Sequence, residues 1–105
     1  MKYFPIELDK TRNLRYGMVA MDRIEKKLKK NVTNINLEDL SIYEMAVFLW
    51  GGLSHEDSKL TPERVMELVD EHSNMQSAME VMAEAFSASF PQANPVEVES
   101  DSKNE

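Results

Sequence analysis

Residues 40–53 read LSIYEMAVFLWGGL, and the rest of the chain is arranged to cover them. Ser41 carries a hydroxyl that can accept a backbone N–H of the first helical turn. Glu44, three residues on, can reach back to the Ser41 N–H, and the pair forms a capping box. Leu40 and Met45 stand where a hydrophobic staple closes the turn. At about 100° per residue, Ile42, Met45, Ala46, Leu49 and Leu53 share one face. Val47, Phe48 and Trp50 lie off that face, so the apolar surface wraps nearly all the way round, with Glu44 as the single charge. A helix of this kind is buried in a core or against a partner. Gly51 and Gly52 weaken its continuation and predict a left-handed C-cap.

Upstream, residues 3–8 read YFPIEL, with Phe4, Ile6 and Leu8 alternating. Pro5 demotes this run to an edge strand or an extended arm, because it offers no backbone donor. A lone strand has no partner here, so it pairs with another chain or lies flat on the helices. Asp9 or Thr11 can cap a helix running to about residue 30. Leu14, Met18, Met21, Ile24 and Leu28 form its stripe, with Gly17 beside it. Lys26, Lys27, Lys29 and Lys30 gather at the end where the helix dipole favours cations. Glu25 projects into the apolar sector between Leu14 and Met18. It either leans out at the edge of the interface or pairs with a basic residue such as Arg64.

Downstream of a loop at 31–36, residues 37–40 form one helical turn before the central helix. Residues 54–59, SHEDSK, are a polar loop. Thr61, Pro62 and Glu63 then open a helix in cap, first and second positions, with Leu60 and Val65 as its staple. Val65, Leu68 and Val69 face inward, in line with His72. Ser73 and Gln76 suggest a further capping box for a helix at 74–90. Met75, Met79, Met82, Phe86 and Phe90 form its stripe, flanked by Ala78 and Ala85. That stripe reads either as ordinary core or as an adaptable partner surface, since methionine repacks easily. Pro91 stops the helix. Residues 91–105 carry four acidic groups and one lysine with little to bury, which predicts a disordered tail.

The sum is a nearly all-α domain: a bundle of helices at about 10–30, 41–53, 62–72 and 74–90 over residues 1–90, with a short extended N-terminal arm, then the tail at 91–105. With 105 residues there is one domain at most, and the 42% hydrophobic content supports a modest core. There is no cysteine and hence no disulfide framework. The run from Met45 to Trp50 is far too short to cross a bilayer. The net charge is −7, unevenly spread. Residues 1–30 hold nine Lys and Arg against four Asp and Glu, whereas residues 31–105 hold three against fifteen. A basic helix docking on an acidic remainder accounts for this. A DNA-binding regulator using the basic first helix is the alternative, but no aromatic interleaving or groove-reading motif accompanies it.

Chemistry is sparse. His55-Glu56-Asp57 and Asp70-Glu71-His72 set histidine beside carboxylates, yet neither has zinc-ligand spacing. No nucleophile, base and oxyanion donor are legible together, and Gly51-Gly52 lacks the lysine of a phosphate loop. The expectation is a protein without catalytic residues, cofactor or metal.

Several stretches together resemble the tail assembly chaperones encoded ahead of the tape measure protein in siphophages, prophages and gene transfer agents. Phe4-Pro5-Ile6-Glu7-Leu8-Asp9, Asn13-Leu14-Arg15-Tyr16-Gly17 and Ile24-Glu25-Lys26-Lys27-Leu28 carry part of the likeness. The rest lies in residues 44–61, where Leu49-Trp50-Gly51-Gly52-Leu53 precedes His55-Glu56-Asp57 and then Leu60-Thr61-Pro62-Glu63. The likeness covers about residues 4–72, and its motifs are mostly structural. One departure is a single N-terminal arm where relatives can have a hairpin. The resemblance implies binding without catalysis: holding the helix-prone tape measure protein and bringing tail tube protein to it, in the cytoplasm of a bacterial host and outside the mature virion. Such relatives are often made in two lengths by ribosomal frameshifting, and Ser102-Lys103-Asn104 is compatible with a slippery A-AAA-AAC heptamer. From the residues themselves, the small size leaves room for a homo-oligomer, no membrane partner is expected, and the stripe Met75, Met79, Met82, Phe86 and Phe90 of the helix at 74–90 is the candidate groove wall.

Overall fold

A computed structural model describes residues 2–89. It is mostly helical but not strictly all-α, because the N-terminal arm is one half of a hairpin. Strands β1 (Phe4–Glu7) and β2 (Thr11–Leu14) pair antiparallel, with Phe4 opposite Leu14 and Ile6 opposite Arg12. These two pairs point inward, while Pro5 with Asn13 and Glu7 with Thr11 point out, as the two-residue period of a strand requires. The Thr11 hydroxyl donates to the Glu7 carboxylate across the open side at 2.8 Å. The strand pairs within its own chain and also packs against the last helix.

The hairpin displaces the start of the first helix. Helix α1 runs Met18–Leu28, with Gly17 as N-cap, rather than from residue 10. Leu14 belongs to β2 and is fully buried there, so the spacing that aligned it with Met18 was coincidental. Met18 is 90% exposed, and the inward face of α1 is Ala20 and Ile24. Glu25 sits half-buried at the edge of the helix and does not meet Arg64. Its carboxylate accepts the Val32 N–H at 3.0 Å and ties the following loop to the helix end, while Arg64 pairs with Glu67. Two short 3₁₀ turns, Val32–Asn34 and Leu37–Asp39, lead to the central helix.

Helix α2 (Ile42–Leu53) begins with both capping-box bonds made between Ser41 and Glu44. It does not end at a left-handed glycine. It continues through Gly51 and Gly52 to Leu53, and Ser54 closes it in right-handed geometry. The reason is contact. A Cβ on Gly51 would lie 2.5 Å from Ile24 Cγ1, and one on Gly52 would lie 2.8 Å from both Leu14 Cδ2 and Tyr16 Cζ. The glycines let α1 and the strand exit approach the helix backbone, and Arg15 donates to the Gly52 carbonyl at 2.9 Å. Val47, Phe48 and Leu53 are fully buried at the centre of the core. The buried Tyr16 hydroxyl donates to the Phe48 carbonyl at 2.7 Å, and burial pushes its pKa up.

Helix α3 (Pro62–His72) is capped by Thr61, whose hydroxyl oxygen accepts the Arg64 N–H. Helix α4 (Met75–Ala88) is capped by Asn74, which accepts the Ser77 N–H at 2.8 Å; Ser73 instead ends α3. An asparagine side chain satisfies the orphan donor as well as a serine does, so the cap falls one residue later than the expected Ser73–Gln76 box. His72 is exposed rather than on the inner face. Phe90 and the tail expected at 91–105 lie outside the described residues.

Candidate functional site

The three caps place one side of α2, α3 and α4 around an apolar cleft. The Ser41–Glu44 box starts α2 so that Ile42 and Met45 stand at the mouth, with Ala46 and Leu49 below. Val65, Met66 and Val69 come from α3. The tight Ser73–Asn74 junction then turns the chain so that Met75 and Ala78, at the start of α4, complete the wall. The floor is apolar: Ala46, Leu49, Val65, Val69 and Ala78 are all buried. The mouth is open, with Ile42 53% and Met75 52% exposed. The cleft measures about 100 Å³, well below the 300 Å³ or more typical of cofactor sites. That is room for one or two apolar side chains. Asp70 is the single charged residue lining it.

The stripe of α4 is divided between this cleft and the core. Met75 stands at the mouth, and Met79 is half-buried against the core. Met82 is fully buried, and Phe86 is 8% exposed. Phe86 meets Phe48 edge-on at 5.1 Å and Tyr16 at 5.7 Å between ring centroids. Met82 and Phe86 do not line this cleft, and Phe90 lies outside the described residues. Ile42, Met45 and Met66 line the cleft although the sequence singled out none of them as partner-binding. The signal was present for the first two, which share the 42/45/46/49 face of α2.

The histidine-carboxylate loop is a clamp on β2. Glu56 accepts the Asn13 backbone N–H at 3.1 Å and its side-chain amide at 3.0 Å. His55 Nε2 meets the Asn13 carbonyl at 2.7 Å. Two side chains thus occupy the outward backbone groups of β2, as a third strand would, while opposite them Pro5 has no donor. Partial burial works against the Glu56 carboxylate, but the bonds from Asn13 outweigh it and leave its pKa below the ordinary value. Beside the clamp, Arg12 is buried and doubly bonded to Asp9, at 2.8 and 2.9 Å, with Asp57 at 3.8 Å. The Arg12 bond holds the Asp9 carboxyl down at about 2. A buried guanidinium requires such partners.

The lysines at the end of α1 are largely engaged within the fold. Lys26 pairs with Asp22, Lys27 lies over the Trp50 ring, and Lys30 binds Glu44, lowering the Glu44 pKa. The Trp50 indole N–H donates to the Leu60 carbonyl at 2.9 Å and ties the polar loop back to α2. Among the described residues no three His, Asp or Glu side chains converge as a metal-ligand set, and no helix is long and apolar enough to cross a membrane. No family model, no curated protein and no solved structure matches this chain.

Proposed function

We propose that this protein works by holding another protein, and that it is a phage or prophage tail assembly chaperone that keeps the tape measure protein soluble and brings tail tube protein to it. The observation that carries the reading is the cleft between α2, α3 and α4. It has a buried apolar floor and a mouth where Ile42 and Met75 remain half exposed. A side chain from a client can exchange water for that floor, and methionines at the rim adjust to its shape. The likeness of residues 4–72 to tail assembly chaperones supplies the client. The β1–β2 hairpin strengthens it, since the sequence's departure from relatives was the lack of a hairpin. The mechanism is reversible helix-in-groove capture, without bond making or breaking, in the host cytoplasm before the tail is complete.

The test is co-expression with the tape measure and tail tube proteins encoded beside this chain. The wild type should raise the soluble fraction of tape measure protein and co-purify with it. Ile42→Glu with Met75→Glu, two exposed positions, should keep the helical circular dichroism and lose capture. A folded double variant that still captures the client removes the cleft from the site. A wild type that leaves the tape measure protein insoluble removes the proposed function.

A further inference from the structure

We infer that the cleft between α2, α3 and α4 selects a cationic amphipathic helix as its occupant, an inference that rests on the capture reading above. The walls explain the helical form. All three are α-helices whose backbone groups bond within their own turns, so they offer no main-chain partners to an extended peptide. The hairpin offers none at Asn13 or Pro5, where the clamp and the proline block the edges. A helix arrives with its backbone already satisfied and projects apolar anchors at one-turn spacing. That spacing matches the Ile42, Met45 and Leu49 wall of α2.

Charge selects the sign. Asp70 lines the cleft, and no Lys or Arg does. On α3, Glu63, Met66 and Asp70 fall one turn apart and share a face, so the methionine of the wall is flanked by carboxylates. Glu63 and Asp70 are both exposed, and among the described residues neither has an ion-pair partner. The nearest cation in sequence, Arg64, is turned to Glu67 at 2.9 Å. Glu38 and Asp39 precede the mouth end of α2. An acidic helix meets like charge at this rim. A basic one meets complementary charge.

Two synthetic helices of about five turns, with the same leucine face and either lysine or glutamate elsewhere, test the inference by fluorescence anisotropy against the full chain. The lysine helix should bind at least about tenfold more tightly at about 50 mM salt, and the gap should shrink at about 0.5 M as screening shortens. Asp70→Lys should remove most of the preference. Glu84→Lys makes the same change of net charge on the opposite side of α4 from Met75 and should leave most of it. Equal binding of the two helices overturns the charge selection and leaves capture standing, whereas binding of neither overturns both. Equal losses in the Asp70→Lys and Glu84→Lys variants reduce the preference to bulk attraction and overturn the site. A dimer of the chain alone that Met75→Glu dissociates assigns the cleft to a second copy and also overturns it.

Discussion

On the side of α2 that meets α1 and the hairpin, Gly51 and Gly52 carry no side chain to hold the neighbours away. Ile24, Leu14 and Tyr16 come down onto the bare backbone. On the side that meets α3 and α4, Ile42, Met45 and Met75 hold the helices apart at the mouth of a cleft. The two sides differ in residue volume, and the difference sets what each can do. Close packing of small against large groups gives a single arrangement. Long unbranched side chains around an open slot permit several. The closed, glycine side brings α1 and the hairpin onto the α2 backbone, and the open side keeps an apolar cleft with a half-exposed mouth.

The sharpest way to break this comparison is to put a charge on the buried half of α4. Met82→Glu places a carboxylate where the side chain is fully buried. It should unfold the domain outright, by several kcal/mol. Thermal melts followed by circular dichroism would show loss of the cooperative transition. A folded Met82→Glu protein would mean that the C-terminal half of α4 is not core.

Leu49→Ala comes next. Leu49 is 4% exposed at the cleft floor, and its truncation should cost about 2–5 kcal/mol. The lower end applies if the open side collapses into the space. Glu44→Ala, which loses one capping bond and the Lys30 pair, should cost about 0.5–2 kcal/mol. Equal losses in urea titrations would argue against α2 as the organising element.

Gly52→Val tests the closed side directly. The added Cβ meets the Tyr16 ring at 2.8 Å, and that ring is held by its bond to Phe48. Overpacking should cost about 1–3 kcal/mol, partly offset because valine favours the helix over glycine by a few tenths. A more stable Gly52→Val protein would show that the closed side has slack.

The smallest effect is the response to acid. Asp9, Glu44 and Glu56 all have lowered pKa values in the fold. Their contribution is complete above the ordinary carboxylate range and fades as pH falls through the folded values, for Asp9 from 3.8 toward about 2. The hairpin should loosen in that window before the helices melt. Amide exchange at Thr11–Leu14 reads this, and Asp9→Asn should flatten the dependence. Unchanged protection between pH 5 and 2 would show that the Asp9–Arg12 pair does not hold the hairpin.

Local chemistry carried much of the fold. Ser41 with Glu44, and Thr61 with Pro62, are caps whose bonds lie within three residues, so the sequence alone determined where α2 and α3 begin. The unbroken apolar surface of residues 45–50 marked the core for the same reason. What tertiary structure decided was every feature that depends on residues distant in the chain. Residues 11–14 could complete a helical stripe as well as a strand, and the pairing with β1, reinforced by Glu56 and His55 from over 40 positions away, settled it as strand. Gly51 and Gly52 carry a stop signal that holds only where the chain is free to turn. Ile24, Leu14 and Tyr16 pressed against them made continuing the helix more favourable. The stripe of α4 is uniform in sequence, yet contacts with Tyr16 and Phe48 drew Phe86 inward while Met75 stayed at an open mouth. Helical periodicity assigns a face to a residue, and only the neighbours that arrive on that face determine whether it becomes core or surface.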